Sequence, residues 1–302
     1  MSAPPQSAPS PANPLRASYY ADQAGQWTVK VVENVQLARD TFRVRLSCPE
    51  LAQRITPGQF VMLRLPGVND PLLGRPFALY DTCVDDAGRR WGVDIVYLVV
   101  GKMTKLLRHA VPDDEVEIWG PLGNGFSPRP ADHLIMVAGG IGQTPFLALG
   151  QERLGRKTYG DLGRKTPRSG RVTLCYGVRD ASLAAGVDDF QAAGIEALLS
   201  SDDGSVGRHG LVTELLDQVL EENDRLDACR IACCGPEPMM EAVAETAQRR
   251  GVACEVSLET PMACGIGICF SCVVRVRQPG GSWDYKRTCV DGPIFDAEQI
   301  VW

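Results

Sequence analysis

The sequence lacks the features that place a chain in or across a membrane. No apolar run approaches the roughly 20 residues that a transmembrane helix needs. Residues 1–12 are rich in Pro, Ser and Ala, and they have neither the charged start nor the apolar core of a secretion signal. The sequence therefore predicts a cytoplasmic protein with no membrane partner.

An excess of basic charge is also missing. The 302 residues contain 31 Lys and Arg against 37 Asp and Glu, which gives a formal net charge of −6. Acidic and basic residues are mixed along the chain, so there is no general electrostatic attraction to nucleic acid or to an anionic lipid surface. This balance favours a metabolite or a protein as the partner.

Histidine is scarce, and no grouping of Asp, Glu and His typical of acid–base chemistry on carbon stands out. The three histidines, His109, His133 and His209, are predicted to be structural. We therefore assign no catalytic residue from the sequence, and any chemistry is expected to come from bound cofactors.

Cysteine is abundant, but the pattern excludes a disulfide framework. An odd total of 11 in a chain of this length, with four at ligand spacing, favours a reducing compartment. Most of the other seven are predicted to be buried small hydrophobic residues.

Composition and hydrophobic pattern divide the chain into four segments. Residues 1–25 are rich in Pro, Ser and Ala and predict a disordered leader. Short alternating strands over residues 26–128, with one brief helix, predict an antiparallel β-barrel. Strands that alternate with helices over 129–252 predict a parallel α/β domain that binds a nucleotide. Residues 253–302 form a small cysteine-rich domain.

Four cysteines near the C-terminus have the spacing of a plant-type [2Fe–2S] site, C-x4-C-x2-C followed by sixteen residues and a fourth cysteine. The predicted ligands are Cys264, Cys269, Cys272 and Cys289. Gly265 and Gly267 allow the loop to fold tightly and to direct N–H groups at the cluster sulfurs. Structural zinc is the alternative, although zinc sites usually use pairs of short C-x2-C knuckles.

Two glycine-containing turns each follow a strand and begin a helix in the α/β segment. The first turn contributes the candidate residues Gly139, Gly140, Gly142, Thr144 and Pro145. The second contributes Cys234, Gly235 and Pro236. Glycines let the backbone approach a phosphate, and free N–H groups at a helix start attract its charge. Two such turns at one edge of a parallel sheet predict a dinucleotide cleft, although G-x-G-x-x-G is not matched.

The segment 153–171 is a basic insertion between a helix and the next strand, and Gly-Arg-Lys-Thr occurs in it twice. It is interpreted either as a solvated loop, which the composition favours, or as a basic docking patch.

Within the barrel, Arg75 and Pro76 lie where a strand meets a turn. The plain interpretation is an edge strand ended by Pro76 with a solvated arginine. We favour Arg75 as a phosphate clamp, because a guanidinium suits that geometry. Backbone N–H groups near Thr104, with its hydroxyl, are predicted to hold a second phosphate oxygen.

Taken in order, these motifs resemble the ferredoxin–NADP reductase superfamily. With the cysteine motif they resemble, over residues 27–302, the family of electron transfer subunits of NAD-dependent dihydroorotate dehydrogenase. The resemblance implies FAD contacts at three places, listed in chain order: Arg75, Pro76, Phe77 and Ala78; Val96, Tyr97 and Leu98; Met103 and Thr104. Ala78 replaces the usual serine of the family, and Leu98 and Met103 replace its common arginine and glycine.

The function that the resemblance implies is electron transfer in pyrimidine biosynthesis. A catalytic subunit with FMN would oxidise dihydroorotate, and this chain would pass the electrons through [2Fe–2S] and FAD to NAD+, in a dimer of heterodimers. One alternative is a flavin and iron–sulfur reductase subunit that serves ferredoxin, a hydrogenase or a sulfur reductase. The other is a non-enzymatic cluster or zinc sensor. Arg179 is a candidate for reading a 2′-phosphate, which leaves NAD versus NADP open.

Overall fold

A computed structural model of the chain describes residues 21–161 and 164–302. The first part of the described chain contains seven strands and two helices. They are β1 Gly25–Ala38, β2 Thr41–Ser47, α1 Pro49–Arg54, β3 Phe60–Arg64, β4 Arg75–Ala78, β5 Asp81–Val84, β6 Arg90–Leu98, α2 Lys102–Leu107 and β7 Glu115–Leu122.

These strands pair in the order β4-β3-β7-β1-β2-β6-β5, antiparallel throughout. The two edge strands, β4 and β5, are joined only by Leu79 and Tyr80. The Leu79 amide donates to the Gln59 carbonyl beside β3, and the Tyr80 amide donates to the Asp94 carbonyl of β6, both at 3.0 Å. The sheet therefore curls until its edges meet, which confirms the predicted antiparallel β-barrel.

The remaining strands and α-helices are β8 His133–Gly139, α3 Phe146–Arg153, β9 Arg171–Val178, α4 Val187–Ala192, β10 Glu196–Ser201, β11 Arg208–His209, α5 Val212–Glu221, β12 Cys229–Cys234, α6 Glu237–Arg250, β13 Ala253–Ser257, β14 Val273–Arg277, β15 Trp283–Arg287 and β16 Ile294–Asp296. They alternate as far as α6, except that β11 follows β10 directly, and the chain then ends in four successive strands.

Within the described residues, seven of these strands form a second sheet in the order β11-β10-β9-β8-β12-β13-β16. All are parallel except β16. Every residue of β8 is buried, as expected for a central parallel strand covered on both faces. From β8 the chain builds outward through β9 to β11 and then returns to β12 on the other side. The predicted parallel α/β domain is confirmed, and its topological switch point lies between β8 and β12.

The cysteine-rich segment is tied to this sheet at both ends. The predicted boundary after residue 252 falls just before β13, which pairs in parallel with β12. β16 returns from the cysteine-rich segment and pairs antiparallel with β13, with Ser257 opposite Ile294. Between them, β14 and β15 form a separate two-stranded hairpin.

The predicted disordered leader, residues 1–25, lies mostly outside the described residues. Its last part has regular structure, because Ala21–Gln23 forms a 3-10 helix and β1 begins at Gly25. The Ala24 amide donates to the Ala21 carbonyl at 3.0 Å. Alternation of side chains along β1 therefore starts before Trp27, where the sequence pattern first becomes clear.

The described residues of the basic insertion pack against the barrel, and we call residues 154–161 and 164–170 the strap. Lys157 Nζ lies 2.7 Å from Asp81 Oδ1 of β5, and the buried Tyr159 donates its hydroxyl to the same oxygen at 2.8 Å. Arg164 pairs with Glu152 of α3 at 2.9 Å. At Lys157, Tyr159 and Arg164 the insertion is therefore packed and not a solvated loop, whereas docking through the exposed Arg156, Lys165 and Arg168 stays a prediction.

A second contact between the domains lies at the start of β5. Tyr80 donates its hydroxyl to Asp189 of α4 at 2.8 Å. Burial, followed by the nearby Asp189 carboxylate, raises the pKa of Tyr80, so the phenol stays protonated and keeps donating. Together with the strap, this bond fixes the barrel relative to the α/β domain.

Candidate functional site

The strand β4 consists of the four residues of the predicted FAD motif, Arg75, Pro76, Phe77 and Ala78. The Arg75 side chain is exposed, and its guanidinium donates to the carbonyl oxygens of Leu73 and Gly74 at 2.9 and 3.0 Å. In the described part of the chain these carbonyls, and no carboxylate, are its partners. Its charge is therefore available to a phosphate, as the prediction requires.

The second predicted FAD segment lies at the end of β6. Val96 and Tyr97 are buried, and Tyr97 donates its hydroxyl to Asn34 Oδ1 at 3.1 Å. The Tyr97 ring packs edge-on against Phe77 of the motif, with centroids 6.1 Å apart. Leu98 is only partly buried and lines an open cleft. The side chains of Val96 and Tyr97 are therefore occupied by packing in the core. Only their backbone groups could contact a cofactor.

The third predicted segment, Met103 and Thr104, is buried at the start of α2. The Thr104 hydroxyl oxygen accepts hydrogen bonds from the N–H groups of Val100 and Gly101, both at 3.1 Å, and donates to the Gly101 carbonyl at 3.2 Å. This hydroxyl caps its own helix. Its predicted contact with a phosphate stays a prediction, and it would have to replace one of these bonds.

The two glycine turns of the α/β domain meet at the switch point. A Cβ on Gly142 would lie 2.3 Å from the Cys234 carbonyl oxygen, and one on Gly139 would lie 2.8 Å from Pro236 Cδ. Gly140 has φ +54° and open space around it. Gly139 and Gly142 are therefore needed because the two turns pack closely against each other. Gly140 is needed for its left-handed backbone conformation, beside which there is open space.

The other predicted residues of these turns surround that contact. Gly235 has φ +153° and packs on Met239. Cys234 is half-buried, and burial raises its pKa to about 12, so it stays a thiol. Thr144 is buried, and Pro145 is the N-cap residue of α3, which begins at Phe146.

A cleft of about 720 Å³ opens beside the turns, between the two domains. The α/β domain contributes Gly139, Gly140, Pro236 and the carboxyl ends of β9 and β10. The barrel contributes the β1–β2 turn at Arg39 and Asp40, which sequence reasoning missed. The Arg39 amide donates to the Ser182 carbonyl at 2.8 Å, so this turn reaches across to the α/β domain. A dinucleotide in this cleft would contact both domains.

Gln143, inside the first turn, is a further feature that the sequence analysis did not single out. Its side chain is fully buried, yet neither its amide nitrogen nor its amide oxygen has a hydrogen-bond partner among the described residues. Leaving such a group unpaired costs about 1–3 kcal/mol. Gln143 does not line the cleft, so its amide is a buried polar group in the first turn that no described residue satisfies.

The loop that carries Cys264, Cys269 and Cys272 is docked directly on the barrel. A Cβ on Gly265 would lie 2.6 Å from Met62 Cγ of β3. Trp119 of β7 donates its indole N–H to the Cys264 carbonyl at 3.0 Å. A Cβ on Gly74, just before the FAD motif, would lie 2.5 Å from the far edge of the same indole ring. Trp119 therefore touches both the cluster loop and the residue that precedes the FAD motif.

The four predicted cluster ligands are placed differently from one another. Cys272 and Cys289 are buried, and their Sγ atoms lie 3.3 Å apart. Cys264 is half-buried and Cys269 is exposed. Within residues 21–161 and 164–302, no three cysteine, histidine or carboxylate side chains are grouped closely enough to hold one metal ion. Ligation by all four cysteines stays a prediction.

The chemistry of this donor set nevertheless fits a cluster. Gly265 and Gly267 have φ of +74° and +82°, so the loop uses conformations that favour glycine. The Ile266 amide donates to Cys264 Sγ at 3.4 Å. Burial raises the pKa of Cys269, but hydrogen bonds from Ser271 outweigh it and lower the pKa to about 6. A bond shared with Cys289 lowers the pKa of Cys272 and raises that of Cys289. The thiolate, which is the form that binds iron, is therefore accessible near neutral pH at Cys269 and Cys272.

Comparison with known protein families divides the chain into three matched regions. An oxidoreductase FAD-binding domain matches residues 28–126, and an oxidoreductase NAD-binding domain matches residues 136–245. The iron–sulfur cluster binding domain of dihydroorotate dehydrogenase B matches residues 259–301. The predicted cofactor classes are confirmed, and the segment that contains the four cysteines belongs to an iron–sulfur domain.

A solved structure described as NADH-dependent reduced ferredoxin–NADP oxidoreductase, studied for flavin-based electron bifurcation, is 28% identical with a TM-score of 0.74. The match covers 92% of this chain and 91% of that chain. An Amycolatopsis cytochrome P450 reductase is 25% identical with a TM-score of 0.60, over 75% of this chain and 66% of its own.

Among curated relatives, the electron transfer subunit of dihydroorotate dehydrogenase B (NAD+) from Geobacillus kaustophilus is 36% identical, over 92% of this chain and 99% of the relative. The corresponding subunit from Desulforamulus reducens is 34% identical, over 90% of this chain and 97% of the relative. The chain therefore belongs to the family of dihydroorotate dehydrogenase B (NAD+) electron transfer subunits.

Proposed function

We propose that this chain carries electrons from a dihydroorotate-oxidising flavoprotein subunit to NAD+. Each dihydroorotate oxidised to orotate releases two electrons, which pass through the chain and reduce one NAD+ with one proton. The proposed cofactors are FAD on the barrel and a [2Fe–2S] cluster held by Cys264, Cys269, Cys272 and Cys289. The named reaction of the curated relatives supports this assignment.

The observation that carries the proposal is the closeness of the cluster loop to the FAD motif. The loop rests on β3 through Gly265 and Met62. On the neighbouring strand β4, Pro76 of the FAD motif pairs directly with Met62. Adjacent strands lie about 4.8 Å apart, so a single strand separates the loop from the motif. This closeness supports the proposal that FAD and the cluster are held side by side.

The chain's own residues bind and orient these groups. When bound, FAD supplies the conversion between single electrons and the hydride pair of a nicotinamide. Arg75 would neutralise a phosphate of the flavin, and Trp119 holds the Cys264 backbone against the barrel. The turn at Gly140 would offer backbone N–H groups to the dinucleotide, and Pro236 of the second turn lines the same cleft.

NAD as the acceptor, and not NADP, is also part of the proposal. Arg179, directly after β9, lines the cleft, where it could bind the 2′-phosphate of NADP. Asp202, directly after β10, lines the same cleft. A carboxylate can accept hydrogen bonds from ribose hydroxyls and repels a 2′-phosphate. Steady-state rates with NADH and NADPH test this choice, and equal rates would overturn it.

We further propose a cytoplasmic dimer of heterodimers with the catalytic subunit. Reduced thiols at the cluster site require a reducing compartment. In the described part of the chain, no helix is long and apolar enough to span a bilayer.

The direct test mixes the purified chain with an FMN-containing dihydroorotate-oxidising subunit. We expect dihydroorotate-dependent NAD+ reduction, followed as NADH absorbance, that neither protein gives alone. The chain by itself should show flavin and iron–sulfur absorbance and should reduce an artificial dye with NADH. Dye reduction without any gain in NAD+ reduction on mixing would contradict the proposed partner.

A second function is favoured by one specific observation, the similarity to the reduced ferredoxin–NADP oxidoreductase over nearly the whole chain. In that case the partner would be a flavoprotein that exchanges electrons with ferredoxin. Reduced ferredoxin and NAD+, added with such a partner, would then give NADH, whereas dihydroorotate would not.

A further inference from the structure

The hairpin of β14 and β15 has two unlike faces. Side chains alternate along strands, so each face carries every second residue. The Val276 side chain is buried in the same hydrophobic cluster as Ile300, which marks the inner face. The outer face is exposed and carries two cross-strand pairs, Arg275 with Tyr285 and Arg277 with Trp283. We call these four residues the outer face of the hairpin.

Two aromatic rings dominate the outer face. Trp283 and Tyr285 are 48% and 56% exposed, and their rings meet edge-on with centroids 5.2 Å apart. The Arg275 guanidinium lies 5.9 Å from the Trp283 ring centroid. Trp, Tyr and Arg are the residue types that most often dominate binding energy at protein interfaces. Their mutual contacts restrict their rotamers before any partner arrives, which lowers the entropic cost of binding.

The outer face continues into the cluster loop. Arg287, on the same side of β15, donates to the Gly267 carbonyl at 2.9 Å, and its guanidinium lies 5.0 Å from the Phe270 ring centroid. Ile268 and Phe270 are 68% and 58% exposed, and the exposed Cys269 lies between them. Arg287 therefore joins the loop and the hairpin into one continuous surface of exposed aromatic, aliphatic and arginine side chains. The predicted cluster ligand Cys269 lies within the loop part of this surface.

The charge on this surface differs from that of the chain as a whole. The chain carries a formal net charge of −6, whereas the outer face carries Arg275 and Arg277. The acidic residue of β15, Asp284, pairs with Val276 and so belongs to the inner face. A surface of this kind favours a partner that presents carboxylates around an apolar pocket.

We propose that the outer face of the hairpin, with Ile268 and Phe270, is the surface on which the dihydroorotate-oxidising subunit docks. This inference rests on the proposed function. Electrons that enter through the loop require a partner that covers Cys269, and a body that covers the loop also meets the adjoining hairpin. The aromatic pair anchors that partner, and the arginines set its orientation.

The test measures binding of the holo chain to that subunit by calorimetry. Trp283→Ala removes the aromatic anchor, and Arg277→Glu reverses one charge. We expect each to weaken binding by about 30-fold or more, as loss of an interface anchor does. NADH-dependent dye reduction and the visible spectrum of flavin and cluster should stay as in the unmodified chain. The Arg277→Glu effect should also shrink as salt rises.

Matched controls lie elsewhere on the surface. Val111→Ala removes an apolar side chain that is 56% exposed, and Lys165→Glu makes the same charge reversal on the exposed strap. Neither should change binding.

Each outcome separates the inference from the function on which it rests. If the unmodified chain binds and both outer-face variants bind equally well, the inference is overturned while the proposed function stands. If the unmodified chain neither binds nor supports NAD+ reduction, the proposed function fails. If the variants instead change the chain's own oligomeric state by light scattering, the surface binds a second copy of the chain and the docking proposal is overturned.

Discussion

The nucleotide cleft and the cluster loop lie at opposite ends of the proposed electron path, and they are built on different principles. The cleft is formed by turns at the ends of regular strands, where Gly142 packs on the Cys234 carbonyl. Between β13 and β14, the cluster loop has no regular element among the described residues. It keeps its place through contacts with another domain, chiefly those of Trp119 and Met62.

This difference determines how each end should respond to mutation. The cleft depends on backbone packing within one sheet, so damage to it should remain in the α/β domain. The cluster loop depends on the barrel, so changes at their junction should affect the cluster environment and overall stability together. The following changes test that separation.

The largest expected effect follows from removing one cluster ligand. Cys269→Ser should abolish electron exchange with the partner subunit, because serine is a poor ligand for the iron of a cluster. Stopped-flow spectroscopy should show that NADH still reduces the bound flavin at nearly the original rate. Loss of both activities together would contradict the separation and would show that the cluster mainly maintains the fold.

Gly142→Ala should damage the other end. Its Cβ would lie 2.3 Å from the Cys234 carbonyl oxygen, which is backbone and cannot rotate away. Displacement of the turns by a fraction of an ångström should lower NADH-dependent dye reduction by about 10- to 100-fold. The iron–sulfur spectrum should be unchanged.

Gly170→Ala is the matched control, because its Cβ would lie an ordinary 3.6 Å from the Asp132 carbonyl oxygen. If Gly142→Ala retained full dye reduction, close packing of the two turns would not be what positions the nucleotide.

Trp119→Phe tests the junction. The substitution keeps an aromatic ring near Gly74 but removes the hydrogen bond to the Cys264 carbonyl. The free energy of unfolding should fall by about 1–2 kcal/mol, and the electron paramagnetic resonance signal of the reduced cluster should change. An unchanged signal with lowered stability would mean that the bond supports the fold without affecting the cluster.

The smallest effect is expected at the amino edge of the second sheet, far along β8 from the cleft. The Thr173 hydroxyl donates to Glu196 at 2.8 Å, so His133 Nε2–H donates to Thr173, also at 2.8 Å. Burial lowers the pKa of His133. Below its unfolded pKa of about 6.5 the unfolded chain takes up a proton that the folded chain resists, so stability falls as the solution is acidified.

Thermal unfolding at pH 7.5 and 5.5 checks this effect. His133→Gln should lose this dependence of the free energy of unfolding on pH, whereas His109→Gln, at an exposed position, should keep it. Equal pH dependence in both variants would contradict a buried, neutral His133.

The fold and its cofactor classes could be predicted from sequence because the signals are local. The strand β8 is a continuous apolar run followed by a glycine turn, and both are visible within about a dozen residues. The same applies to the spacing of Cys264, Cys269 and Cys272. Thr104 shows the limit of this approach, because its hydroxyl caps α2 in a way that the residue type alone does not reveal.

The contacts between distant segments could not be predicted. Nothing in the sequence around Trp119 points to Cys264, since the two are 145 positions apart. The strap appeared solvated because its composition is basic and rich in glycine, but the partner of Lys157 is Asp81, on another domain. Pairing of β16 with β13 is likewise a long-range contact that periodicity does not encode.

That pairing has a consequence for how this architecture can be modified. Because Ser257 lies opposite Ile294, the whole iron–sulfur segment, residues 258–293, begins and ends at adjacent points of one sheet. It is an insertion between two neighbouring strands, and a tight turn could replace it without breaking the sheet. The shortened chain would need polar substitutions at Met62 and Leu122, which the loop now covers. What remained would be a compact flavin reductase, so the cluster can be regarded as a detachable module on a reductase that is complete without it.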